Sequence, residues 1–144
     1  MKLKVKIKKT ADVKLPSYAH SGDSGVDLYA AEECMLNPME RKLIGTGIKI
    51  EIPEGYEAQI RPKSGLAIEH GISQVNTPGT IDSGYRGEIK VLMINFGGKP
   101  YKIEKGKKIA QMIFAKVEIA EFDEVEELSN TTRGEGGFGS TGLF

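Results

Sequence analysis

The chain has 144 residues, of which 39% are hydrophobic, 28% charged and 18 in number are glycine. Lys plus Arg balances Asp plus Glu at 20 each, which excludes a sequence-independent grip on nucleic acid polymer, since that needs a basic surplus. No apolar run approaches the ~20 residues of a membrane span, and one cysteine, Cys34, excludes an internal disulfide.

This length suits one domain that buries about 70% of the surface its unfolded chain exposes. Abundant glycine with short apolar runs favours turn-rich β structure. The Lys-rich start lacks a signal-peptide core, and the cysteine usage fits a reducing cytosol, so a cytoplasmic location is expected. Cys34 reads as a small buried hydrophobe rather than a reactive thiol.

Residues 2 to 9 alternate Lys with Leu3, Val5 and Ile7, a strand with one wet face whose lysines guard a sheet edge. Residues 20 to 30 read as a turn feeding a strand, with Val26, Leu28 and Ala30 alternating with Asp27 and Tyr29. Asp27 is either a solvated strand residue or a buried ion-pair partner. Between 40 and 61 two more strands are expected. Ile44, Thr46, Ile48, Ile50 and Ile52 share one face. Pro53, Glu54 and Gly55 turn the chain, and Tyr56, Ala58 and Ile60 alternate up to Arg61. The run R-P-K-S-G-L-A-I-E-H-G, 61 to 71, predicts one short helix with Ser64 as its N-cap, Gly71 as its stop and His70 near its terminal carbonyls. Arg61, Lys63, the Ser64 hydroxyl and the N–H groups near Gly65 suit a phosphate, or are only a capped turn with solvated charges. No Cys/His grouping has metal spacing.

Residues 76 to 91, N-T-P-G-T-I-D-S-G-Y-R-G-E-I-K-V, read as two strands folded back on each other about Asp82, Ser83 and Gly84. Asp82 lies before the turn, Tyr85, Arg86 and Glu88 crowd near it, and Asn76, Pro78 and Gly79 make a side-chain-poor approach. A carboxylate, a phenol, a guanidinium and bare backbone suit a polar ligand with a flat ring. Residues 97 to 106 are turn, short strand and turn. From 107 to 119 a helix is partly possible, but Ile109, Gln111, Ile113, Ala115, Val117 and Ile119 fit period two, and the β-branched content favours strand. Gln111 is then an amide on an apolar face. Six of the ten residues from Glu118 to Glu127 are acidic and read as a solvated strand end and linker. The tail, R-G-E-G-G-F-G-S-T-G-L-F, holds a formal G-x-G-x-x-G at 137 to 142, but no helix follows it, so a dinucleotide fingerprint is excluded. Its composition is that of a disordered tail. Yet its backbone N–H groups and Arg133 suit a phosphate, and Phe138 suits an aromatic base.

Taken together and in order, five segments resemble the trimeric dUTP diphosphatase (dUTPase) family: Ser24–Ala30 (S-G-V-D-L-Y-A), Arg61–Ala67 (R-P-K-S-G-L-A), Gly79–Val91, Lys105–Val117 (with G-K-K-I-A-Q-M-I) and Arg133–Gly142. The resemblance implies an all-β fold, a distorted jelly-roll β-barrel with one short helix. Residues 1–130 would form the barrel, and 131–144 a glycine-rich arm closing over a neighbouring subunit's active site. It implies a homotrimer with shared sites that hydrolyses dUTP to dUMP and pyrophosphate by in-line attack of water on the α-phosphorus. That activity would keep uracil out of DNA and supply dUMP for thymidylate synthesis. By the same resemblance Asp82 would be the catalytic base. Asn76 and the backbone of Gly79, Thr80, Ile81, Asp82 and Lys90 would read uracil, and Tyr85 would pack under the deoxyribose. Lys63, Ser64, Gly65 and Gln111 would line the triphosphate. Arg133 would reach the γ-phosphate, with Phe138 and Gly139 over the base, and Asp27 would be a structural ion-pair partner. Mg²⁺ is expected to arrive on the nucleotide, with no direct protein ligand, because the cations named do not neutralise a triphosphate's roughly four charges. Two positions depart from the family pattern: Lys63 stands where Arg is usual, which forgoes a bidentate phosphate contact, and Ser24 stands where Ala is usual. The rival readings are a deaminase of the same fold acting on dCTP, and a nucleotide-binding β-barrel trimer without activity.

Overall fold

The computed structural model describes residues 2–144. In chain order the strands are β1 (Lys6–Lys9), β2 (Val26–Tyr29), β3 (Cys34–Leu36), β4 (Arg41–Gly45), β5 (Ile48–Glu51) and β6 (Tyr56–Arg61). The helix α1 (Ser64–His70) follows, and then β7 (Ile72–Gln74), β8 (Gly79–Ile81), β9 (Lys90–Asn95), β10 (Tyr101–Ile103) and β11 (Lys108–Lys116). A four-stranded sheet has the order β2-β11-β6-β8 and a three-stranded one β4-β9-β7; β1 pairs with β5 and β10 with β3. Every pairing is antiparallel. The result is the expected jelly-roll-like all-β fold with one short helix. Among the described residues no helix is long and apolar enough to cross a membrane.

The core lies between the sheets. Leu28, Leu36, Ile44, Ile60, Ile89, Met93, Ile103, Ile109 and Met112 are all nearly or fully buried, each contributing about 1.5–3 kcal/mol by leaving water. The period-two phase read between 44 and 52 is correct: Ile44, Thr46, Ile48, Ile50 and Ile52 are all buried. The Thr46 hydroxyl donates to the Ile89 carbonyl at 2.5 Å, which removes the cost of burying it. Three strands, rather than two, occupy 41 to 61.

Five expectations need correction. The segment 76–91 is no hairpin: β8 pairs with β6 and β9 with β4 and β7, so the two strands belong to different sheets. Short apolar strands carry no label for their partner, and here the chain crosses between layers. Strand β1 has no dry face, since all four of its residues are exposed; Val5, just before it, packs against the core. The helix N-cap is Lys63, without a side-chain cap, and Ser64 is the first helical residue. Gly71 closes the helix in the left-handed region as expected (φ 70°), with its N–H on the last-turn carbonyls. His70 instead packs its ring against Tyr101, with centroids 4.8 Å apart and the planes tilted by 46°. In β11, Ile109 and Gln111 do not share a face, because a bulge separates Lys108 from Ala110.

Cys34 is half-buried and free. Burial pushes its thiol up, and the neighbouring Lys42 only partly opposes this, so the residue behaves as the small hydrophobe expected.

Candidate active site

Three strands of the larger sheet meet in one rung. Asp27 of β2 is opposite Gln111 of β11, and Gln111 is opposite Arg61 of β6. All three point outward, because their neighbours Leu28, Ala110, Met112 and Ile60 point into the core. The Gln111 amide donates to the Pro62 carbonyl at 3.0 Å, which fixes the chain as it leaves β6 for α1. A Cβ on Gly25 would come within 2.9 Å of the Gln111 Oε1, so the bare glycine makes room for that amide.

Lys63, at the start of α1, donates to Asp27 Oδ1 at 2.5 Å, and Lys108 reaches Asp27 Oδ2 at 2.9 Å. The Asp27 side chain is 13% exposed. Burial alone would push its carboxyl up. Hydrogen bonds from Lys63 and Lys108, with their charges, outweigh that and hold it below the ordinary value. Of the two sequence alternatives for Asp27, the ion pair is correct. Next to the rung, Arg61 donates to Gln59 Oε1 at 2.7 Å and Gln59 to Glu57 Oε1 at 2.6 Å. Gln59, Arg61, Gln111, Pro62, Thr77 and Pro78 line an open cleft of about 490 Å³. The Thr77–Pro78 peptide is cis.

The second group of residues is carried by β8 and the loop after it. The Asn76 amide lies over the Gly79 α-carbon, 3.4 Å from where a Cβ would stand. Thr80 is exposed opposite Gln59, and Asp82 follows it on the same outward face by alternation. Among the described residues the Asp82 carboxylate has no hydrogen-bond or ion-pair partner; only its backbone carbonyl is used, by the Tyr85 N–H at 3.1 Å. The residues expected to crowd it are occupied elsewhere. Tyr85 donates to the Glu88 carbonyl at 2.9 Å, and its ring lies so close to Gly87 that an added Cβ there would collide with it. Arg86 donates to the Ser83 carbonyl at 2.7 Å and stands 3.6 Å from Glu51. Glu88 accepts from Thr10 at 3.3 Å. Lys90 opens β9 and is exposed.

A single chain brings Thr77, Pro78 and Gly79 to the Arg61 end of the rung, but leaves Asp82 apart from it. Ile81 pairs with Ala58, so the register sets Asp82 beside Glu57, four residues from Arg61, or roughly 13 Å along the strand. The tail is more remote in its bonding. Arg133 donates to the Gly136 carbonyl at 2.9 Å, and the described hydrogen bonds of residues 131–142 all stay within that segment. Phe138 is fully exposed. Sequence reasoning missed Lys108 as the second partner of Asp27, because period two set Gln111 on the apolar face with Ile109, whereas the bulge puts Gln111 and Lys108 on the same outward face as Asp27. It also missed the Glu57–Gln59–Arg61 ladder, which the outward phase of β6 does predict.

A dUTPase family model matches residues 11–142. The chain belongs to the dUTPase family. A deoxyuridine 5'-triphosphate nucleotidohydrolase of Clostridium kluyveri is 61% identical over 130 residues, covering 90% of this chain and 91% of its own. Another, of Clostridium novyi, is 56% identical over 142 residues, covering 98% and 100%. Among solved structures, a point mutant of the dUTPase of Staphylococcus bacteriophage 80alpha with dUpNHpp matches this dUTPase fold with a TM-score of 0.89, at 27% identity, over 97% of this chain and 99% of its own. A dUTPase from phage phi11 of S. aureus that coordinates a structural Mg(II) ion has the same fold, with a TM-score of 0.82 at 23% identity, covering 88% and 99%.

Proposed function

We propose that this chain hydrolyses dUTP to dUMP and pyrophosphate, with water attacking the α-phosphorus and no covalent intermediate. The observation that carries this reading is an exposed, unpartnered Asp82 carboxylate in a dUTPase-family chain. Asp82 accepts the proton of the attacking water. Asn76 and the backbone of Gly79, Thr80, Ile81 and Lys90 read the pyrimidine edge, and the held Tyr85 ring supports the deoxyribose. Lys63, Ser64, Gly65 and Gln111 hold the triphosphate, and Asp27 orients Lys63.

The separation of roughly 13 Å between Asp82 and the Asp27–Gln111–Arg61 rung supports a site assembled from different copies in a homotrimer. So does the outer face of the smaller sheet, where Leu43 (54% exposed) is opposite Leu92 and Val75 (47%) bonds to the Leu92 carbonyl, an apolar row without cover in one chain. The arm, residues 131–144, then closes over a neighbour's nucleotide with Arg133 on the γ-phosphate and Phe138 and Gly139 over the base, excluding water.

The donors at the phosphate cluster suit Mg²⁺ held by the nucleotide. Asp27, its one carboxylate, is occupied by two lysines, which leaves phosphate oxygens and water as ligands. Carried in on the nucleotide, Mg²⁺ would supply neutralisation of phosphate charge and polarisation of the α-phosphoryl group.

Incubation with dUTP and Mg²⁺ in H₂¹⁸O tests the reading. Pyrophosphate should appear with the label in dUMP. Label in pyrophosphate would move the attack to the β-phosphorus, ammonia from dCTP would favour the deaminase, and no product would favour a binding protein. For the sugar gate, Tyr85→Ala should lower the dUTP-over-UTP ratio of kcat/KM by roughly 10- to 200-fold; an unchanged ratio would place the gate elsewhere.

A further inference from the structure

Strand β11 departs from regular alternation at one place, and that place decides where Lys108 points. Gln111 faces outward beside Asp27. Counting back with period two would turn Ile109 outward and Lys108 into the core. Instead Ile109 and Ala110 are both buried, the register shifts between Lys108 and Ala110, and Lys108 emerges on the face of Asp27 with its Nζ 2.9 Å from Oδ2. A bulge that re-aims one side chain is a recurrent feature beside functional sites. The ion pair so formed adds little to stability, since the Lys108 side chain is half-exposed.

We propose that Lys108 is a positioning residue for the nucleotide phosphates, acting through Asp27 on Lys63. The inference rests on the dUTP reading above. With Asp27 as its only partner, Lys63 would be a cancelled charge. Lys108 takes the second carboxylate oxygen, so the triad of two ammoniums and one carboxylate keeps a net positive charge. Lys63 stays oriented by Oδ1 while its remaining N–H groups are free for phosphate. Pre-organising a flexible lysine in this way lowers the ordering cost of binding. The Lys108 ammonium itself is pushed up by the hydrogen bond and charge of Asp27, so it stays protonated.

The test is a double-mutant cycle on the full chain with dUTP and Mg²⁺. Lys108→Met should raise KM about tenfold with kcat within about twofold, Lys108→Gln should match it, and Lys108→Arg should return KM to within about threefold of wild type. In an Asp27→Asn background, Lys108→Met should change KM by less than about twofold. An equal rise in both backgrounds would mean that Lys108 acts by its own charge, and would overturn the assignment. So would a lowered melting midpoint with KM unchanged, which is the result a merely structural pair gives. A wild-type chain inactive on dUTP overturns the parent reading together with this one; an active chain indifferent to Lys108 overturns this one alone.

Discussion

Asp82→Asn is expected to cut kcat on dUTP by about a thousandfold, within the range for loss of a general base, while KM moves less than about threefold. Asn keeps the shape and the hydrogen-bonding oxygen but cannot take a proton. The carboxylate is exposed and holds no side-chain partner among the described residues, so stability should change by no more than about 0.5 kcal/mol. Steady-state kinetics and thermal unfolding of the same preparation separate the two effects. An Asn variant that turns over at the normal rate would remove Asp82 from the chemistry. A variant that is inactive because it is unfolded would contradict the exposure just described.

Deleting residues 131–144 should cost about two orders of magnitude in kcat/KM and leave the fold intact. Every buried core side chain lies between Val13 and Met112, and the described hydrogen bonds of the arm stay inside it. The barrel therefore loses no contact that holds it together. On the proposed reading, what is lost is a cover that excludes water and supplies a guanidinium and an aromatic ring. Light scattering should report the same assembly for both chains. Normal rates in the shortened chain would make the tail an appendage, and a collapsed melting midpoint would mean that it packs somewhere on the body.

Much of this was legible in the sequence wherever one face of a strand is wet and the other dry. The Ile44-to-Ile52 alternation gave the core side directly, because a one-residue slip would expose all five residues. The single helix was legible from its glycine stop. Strand partners were not: β8 and β9 are consecutive and joined by a turn, yet they belong to different sheets, and a short apolar run is equally content against several neighbours. The N-cap was misplaced by one residue, since Ser64 satisfies the pattern for a cap while Lys63 holds the non-helical backbone angles. Lys63 and Gln111 were grouped only through the family resemblance, with Asp27 as an ion-pair partner whose counterpart the sequence did not name; the structure sets Asp27 against Lys63 and opposite Gln111. Lys108 escaped because a bulge leaves no mark in composition or period. The arm's role is the least legible part, since Phe138 is fully exposed and the described hydrogen bonds of Arg133 stay within the arm.

The distance between Asp82 and the Asp27–Gln111–Arg61 rung has a genetic corollary. If each working centre borrows its carboxylate from one copy and its cations from another, a faulty copy spoils centres it does not own. Two alleles, one lacking the acid and one lacking the clamp, would then each lend the other its missing half, and a mixed population would recover a share of turnover that neither has by itself.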